Sequence, residues 1–521
     1  MDLTSAGYVS NFTAFDWVIV GAYLLLSVGI GLYARRYVGD MADYVVAGRT
    51  LKSRLAIATM IGSELGLITV MYSAQKGFTG GFAAFHIGLV AGIVALIVGF
   101  TGFIVVPLRE MGVMTIPEFY QRRFSRGVRV MGGAILALAG ILNMGLFLKA
   151  GSVFVTGLTG MHSEFELNIV MTVLLLLVLF YTTLGGMISV VITDYIQFIV
   201  LSVGMLVACV LAVNHLGWTN ILETVRDTYG EAGFNPFHGD GFGPSYVMWQ
   251  IFVAGLVSCA IWQTAVMRAC SAESTAVVKR LYIWSSIGFM IRFLIPNLLG
   301  ICALVFLIQH ESLRAVFFPV DGAPSPDATL SAMPVFLSQI LPVGLIGLVA
   351  AAMLAAFMST SDSYLLCWSS VITQDVIGPM TGDSITTKTR LIITRVLIVT
   401  IGIFLLVWSL WYPLEQDMWE YMTVTGAIYF TGAFTLLVGG IYWRRASSVG
   451  AYASLVCGFG SLLGLEIFRD MLGLGAYKEK LTADRVGLTA VAACVVAMIA
   501  GSLLFPDRGE VSGEAEGSNR T

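Results

Sequence analysis

Charge is what this sequence is short of. Lys, Arg, Asp and Glu make up only 12% of its 521 residues, while 57% are hydrophobic; a soluble chain carries about 25% charged residues. So few charges cannot cover the surface of a water-soluble body of this size, and a soluble globular protein is excluded. Cysteine is also sparse. The seven present lie in or beside apolar runs without metal-type spacing, and read as small buried side chains. No G-x-x-x-x-G-K-[ST] phosphate loop occurs, which argues against an ATP-driven pump. A membrane-embedded enzyme would need a catalytic set such as H-E-x-x-H, and His310-Glu311 in a loop is not one. The first 34 residues hold no Lys or Arg, so a cleavable signal is not expected. Asn11 opens an N-F-T sequon, which matters only in a eukaryotic host.

What the chain has in abundance is apolar runs near the ~20 residues that a bilayer-spanning helix needs. The hydropathy pattern predicts thirteen spans, at 14–35, 55–78, 82–107, 130–160, 165–185, 188–215, 246–268, 281–308, 333–372, 390–411, 418–443, 447–468 and 484–505. Basic residues sort onto alternate loops: 20 of the 29 Lys and Arg fall on one side and six on the other. The positive-inside rule puts the rich side in the cytoplasm, hence the N-terminus outside and the C-terminus within.

Polar residues inside such spans are expensive and therefore informative. "AAFMSTSDSYLL" (355–366) puts Ser359, Thr360, Ser361, Asp362 and Ser363 in a hydrophobic helix. Helical spacing aligns Ala356, Ser359, Asp362 and Ser363 on one face with Thr360 at its edge. That stripe of oxygens suits a small hard cation stripped of part of its water; the competing use is hydroxyls bonding to their own backbone or joining helices. "IGSELG" (61–66) has glycines that can interrupt its span and release carbonyls, and "AGLVSCAIWQT" (254–264) is small and polar at a corresponding depth. Interrupted helices at matching positions of two halves point to a transporter's binding site.

Five segments in order then resemble the sodium/solute symporters, which are built on the leucine-transporter fold: "DYVVAGRTL" (43–51), "MTIPEFYQRRF" (114–124), "YTTLGGMISVVITDYIQ" (181–197), "MRACSAES" (267–274) and "AAFMSTSDS" (355–363). The resemblance implies an all-α integral membrane protein of about 13 transmembrane helices. Its core would be a 5+5 inverted repeat, 52–216 and 246–445, with an extra N-terminal helix (1–36), extra C-terminal helices (446–505) and a disordered tail (506–521).

By position, the resemblance assigns the main sodium site to the carbonyls of Gly62, Leu65 and Ala356 and the hydroxyls of Ser359 and Thr360. Asp194 falls near the ion's cytoplasmic exit, and Ser359, Asp362 and Ser363 match a second sodium site of some members. Asp362 replaces a usual hydroxyl there, so it holds either a second cation or a proton. Glu64 matches an aspartate important for sodium in proline-carrying members, and could otherwise pair with Lys149. Solute contact falls on Thr69, His86, Trp262, Gln263 and Thr264, and on Lys149, an unexpected intramembrane cation whose partner would be Glu64 or a solute carboxylate. Thr69 and Gly88 stand where sugar-carrying members have Gln and Glu, which turns the reading away from sugars.

The function expected is sodium-coupled import of a small organic solute, carboxylate or amino-acid-like rather than sugar, across the plasma (inner) membrane. The alternatives are proton coupling through Asp362 and Asp194, or a sensor of the same fold. The partners are that solute, Na+ and the lipid bilayer, with nothing pointing to nucleic acid.

Overall fold

Hydrocarbon offers a backbone no hydrogen bonds, so a chain this apolar must satisfy its peptide groups within helices. The computed structural model describes residues 8–34, 51–161, 163–318, 324–413 and 416–507, without the side chains of 184–197 and of a few single positions such as Ser63. Among these residues the regular structure is helical, apart from one parallel bridge between Leu51 and Ala272.

Nine helices among the described residues are long and apolar enough to cross a bilayer, with two shorter apolar ones, Ala14–Ser27 and Ser448–Gly464. The thirteen expected spans are not separated by this measure, for two reasons. Leu67–Thr101 runs two of them together through a short 3-10 turn at Gly81–Ala84. Residues Glu164–Leu216, expected as two spans, are helical without interruption for 53 residues. That stretch contains no proline, and the Gly185-Gly186 pair costs only about 1 kcal/mol per residue relative to alanine.

The centre of the molecule is Leu345–Val371, buried on nearly every face. A helix apolar or small all round belongs in the interior, and this one carries the hydroxyl-rich stretch. Both interruptions expected from the sequence are breaks in helices that pack against it. The first separates Ser53–Glu64 from Leu67–Gly80 at Leu65 (φ −90, ψ 64) and Gly66 (φ −93, ψ 168). The second separates Ser258–Ile261 from Gln263–Ser271 at Trp262 (φ −64, ψ 118). The segments Ser53–Glu64 and Gln263–Ser271 lie side by side, tied at one end by Leu51 N to Ser271 O (3.1 Å) and Glu273 N to Leu51 O (3.1 Å).

Candidate ion and solute site

A helix end leaves its last carbonyls without partners, and the break at Leu65–Gly66 creates such an end inside the protein. Ile61 O accepts from Leu65 N (2.8 Å), while Glu64 O accepts from Thr69 Oγ1 (2.8 Å) and Arg292 Nη1 (3.1 Å). Gly62 and Leu65 belong to this same end. Facing it is Thr360 on Leu345–Val371, so close that a Cβ at Gly66 would overlap the Thr360 hydroxyl oxygen. Ser359, Asp362 and Ser363 are buried with it. Backbone carbonyls beside two aliphatic hydroxyls are the hard oxygen donors that an alkali cation takes.

The second break meets the same central helix one turn further along. Trp262 Nε1 donates to Tyr364 Oη (3.0 Å), and the indole packs edge-on against Trp368 and Phe430. One and a half turns after the break, Arg268 is 1% exposed; its guanidinium donates to Thr264 O (3.1 Å), Thr59 Oγ1 (3.4 Å) and Ser363 Oγ (3.1 Å). A guanidinium therefore reaches one of the oxygens expected at a second cation site.

Between the two breaks lies a cavity of about 100 Å³ whose lining includes Glu64, Tyr72, Asn143, Trp262, Arg292 and Tyr364. Glu64 and Arg292 are the charged groups in that lining, joined at 2.6 Å through Arg292 Nη1 and Glu64 Oε2. Phe289 and Phe293 flank the guanidinium at 4.7 and 4.9 Å.

Each end of the cavity is tied across helices. At one end Lys76 Nζ bonds Asp417 (2.6 Å) and Glu420 (3.3 Å) and sits 5.0 Å from the Tyr246 ring. Gln75 beside it donates to Thr329 Oγ1 (2.8 Å) and accepts from Met418 N (3.0 Å). At the other end Asp375, fully buried, accepts from Arg129 Nε (2.9 Å) and Thr115 Oγ1 (2.9 Å), and Gln263 Oε1 accepts from Ile116 N (3.1 Å). Two broken helices, a cavity between them and cross-helix ties to either side of it are the layout in which carriers hold their ion and solute.

The family model described as "Sodium:solute symporter family" matches residues 44–458, most of the chain. The chain belongs to that family. Its relatives include a sodium/glucose cotransporter of Vibrio parahaemolyticus, 24% identical over 85% of this chain and 83% of that one. A sodium/sialic acid symporter of Aliivibrio fischeri is 25% identical over 88% and 89%. The mouse sodium-coupled monocarboxylate transporter 2 is 25% identical over 73% and 61%. Among solved structures, a substrate-bound, outward-open Na+-coupled sialic acid symporter superposes with a TM-score of 0.76 at 19% identity, covering 95% of this chain and 98% of that one. As a member of the family, this protein is a multi-pass membrane transporter rather than an enzyme, and its coupling ion is sodium.

In this symporter, Gly62 and Leu65 lie at the end of the first half-helix, Thr360 meets the neighbouring Gly66, and Ala356 and Ser359 are buried on the same helix as Thr360. Asp194 lies in a helix, with its side chain outside the described residues. Of the expected solute residues, Trp262 lines the cavity. Thr69 is spent on the Glu64 carbonyl, Gln263 on Ile116 N, and Thr264 reaches Glu64 Oε1 only at 3.5 Å. His86 bonds Ala83 O (2.7 Å) and packs against Phe242 and Tyr246, behind the Lys76 tie.

Lys149 is not the partner of Glu64. It pairs with Asp327 at 3.4 Å and lines a separate cavity of about 940 Å³ with Glu164 and Thr156. The cation at Glu64 is Arg292, which sequence reasoning passed over together with Lys76. The signal was available. With 26 of the 29 basic residues assigned to loops, Lys76, Lys149 and Arg292 are the three left inside spans, and intramembrane charges are functional candidates by default.

Proposed function

We propose that this symporter imports a small organic solute with sodium by alternating access around the Glu64–Arg292 cavity. Sodium would sit at the Gly62, Leu65, Ala356, Ser359 and Thr360 oxygens, and the solute against Trp262 and its neighbours. The observation that carries the reading is the meeting of the Leu65–Gly66 break with the Thr360 hydroxyl, one residue from the charged pair that lines the cavity. The five-helix repeats 52–216 and 246–445 accord with one broken helix near the start of each. The Lys76 end faces outward and the Arg129 end the cytoplasm, in keeping with the positive-inside rule and with the N-terminus outside.

The driving force is sufficient. One charge moving through 100 mV releases about 2.3 kcal/mol and a tenfold ion gradient adds about 1.4 kcal/mol. Together these support solute accumulation of roughly several hundredfold per ion. A carboxylate or amino-acid-like solute is favoured over a sugar because the cavity lining presents the Arg292 guanidinium, and because Thr69 and Gly88 stand where sugar-carrying members have Gln and Glu.

The test is the melting temperature of the purified protein in sodium against potassium at fixed ionic strength, for wild type and Ser359→Ala. A ligand of the native state stabilises it in proportion to ln(1 + [L]/Kd), so a sodium-specific rise that Ser359→Ala abolishes is expected. Equal melting in both ions, with a pH dependence lost in Asp362→Asn, would transfer the coupling to protons.

A further inference from the structure

The charged pair in the cavity is incomplete as a hydrogen-bonded unit. Arg292 engages Glu64 through one nitrogen, Nη1, and its buried Nε has no acceptor among the described residues. A guanidinium has five N–H donors in a planar fork, so this one retains capacity for a second carboxylate. Across the cavity Asn143, 3% exposed, donates through Nδ2 to Met422 O (2.6 Å) and Thr425 Oγ1 (3.2 Å), while its Oδ1 has no donor among the described residues. An anion receptor and a lone acceptor therefore line one space.

Charge decides what can enter it. Glu64 and Arg292 together carry no net charge. Sodium at the adjoining break, one residue from Glu64, would raise the total to +1, and a monocarboxylate alone would lower it to −1. Bound together they restore zero. Uncompensated charge in a buried, low-dielectric site is costly, so each ion makes room for the other.

We infer that the solute is a monoanionic carboxylate with a hydrogen-bond donor on its body, such as a hydroxy acid, its carboxylate held by Arg292 and its donor by Asn143. Sodium coupling then arises from charge balance across the Glu64–Arg292 pair. The inference rests on the sodium site proposed above. A zwitterion would leave the sodium charge unmatched, and a neutral polyol would leave the guanidinium unused.

The experiment measures thermal stabilisation by lactate, 3-hydroxybutyrate and phenyllactate, each against its neutral amide, with alanine and glucose as zwitterionic and polyol probes, in sodium and in potassium. Proteins are wild type, Glu64→Gln, Arg292→Gln, and the doubly neutral E64Q/R292Q as a control for folding without the ion pair. In wild type a hydroxy acid stabilises only in sodium and its amide does not, with a coupling within the ordinary range of about 5–150-fold. Glu64→Gln makes hydroxy-acid binding independent of sodium. Arg292→Gln abolishes it and tightens sodium binding in the absence of solute by about tenfold. The sodium titrations need no solute, so they decide even if none of these acids is the natural one: sodium affinity must rise in Arg292→Gln and fall in Glu64→Gln. Movement in the same direction overturns the inference. So does a response to lactate that survives Arg292→Gln, or stabilisation by glucose or alanine in place of the acids. Absence of any sodium-over-potassium effect in wild type would instead sink the sodium site beneath it.

Discussion

The two helix breaks use one backbone device and dress it differently. The first takes two residues, Leu65 and Gly66, and its second residue is a glycine because the Thr360 hydroxyl occupies the space where a Cβ would go. The second takes one residue, Trp262, whose φ −64 and ψ 118 lie in the extended region open to any side chain. Where the side chain is absent, hydroxyls and carbonyls come within reach of one another, which suits an ion. Where the side chain is the largest available, it closes over the cavity through Tyr364, Trp368 and Phe430, which suits a solute. Backbone geometry makes the opening, and side-chain volume decides what it can hold.

The half-helix beyond the first break must be pinned for that geometry to persist, and Lys76 pins it. Lys76→Met strips Asp417 and Glu420 of their cation. Breaking a buried pair costs about 3–5 kcal/mol; since both carboxylates are partly exposed, 20% and 30%, the low end is expected, as a marked fall in melting temperature. An unchanged melting temperature would mean that the tie is idle.

Next in size is Gly66→Ala. The backbone there tolerates alanine, so the effect comes from Thr360: about 1–3 kcal/mol of overpacking, read as a roughly 5- to 150-fold loss of sodium affinity in a sodium titration of melting temperature. Wild-type affinity in this variant would remove the ion from the first break.

Trp262→Phe keeps the aromatic wall and removes the indole bond to Tyr364, worth about 1 kcal/mol. Solute affinity falls about fivefold in a binding titration while sodium affinity stays within about twofold; equal loss of both would erase the distinction between the breaks. Smallest is Lys149→Ala. Its pairing with the half-exposed Asp327 is worth about 0–1 kcal/mol, and neither solute nor sodium affinity should move measurably in the same titrations.

Much of this was legible in the sequence. "IGSELG" announced its break through two glycines, and "AFMSTSDS" announced its oxygens because hydroxyls and a carboxylate in hydrocarbon need a reason. The second break was marked only by polarity, since Trp262 carries no intrinsic break signal; the partners of its ring, Tyr364, Trp368 and Phe430, all come from distant segments. Charge pairing was the part least legible. Lys149 attracted a partner on paper because it is an intramembrane cation, but Glu64 meets Arg292, more than two hundred positions further along the chain, and nothing local to either residue records that.

By itself the sequence determined that this protein lives in a membrane, where the glycines of "IGSELG" can interrupt a helix, and which helix carries the hydroxyls, because hydrophobic runs, glycines and misplaced polar residues act over a few positions. Only the tertiary structure decided which cation answers which acid, that Arg268 reaches Ser363, and that Glu64 and Arg292 share a cavity with Asn143. Those are contacts between distant segments, set by how helices pack, and a buried charge takes the partner that packing brings to it.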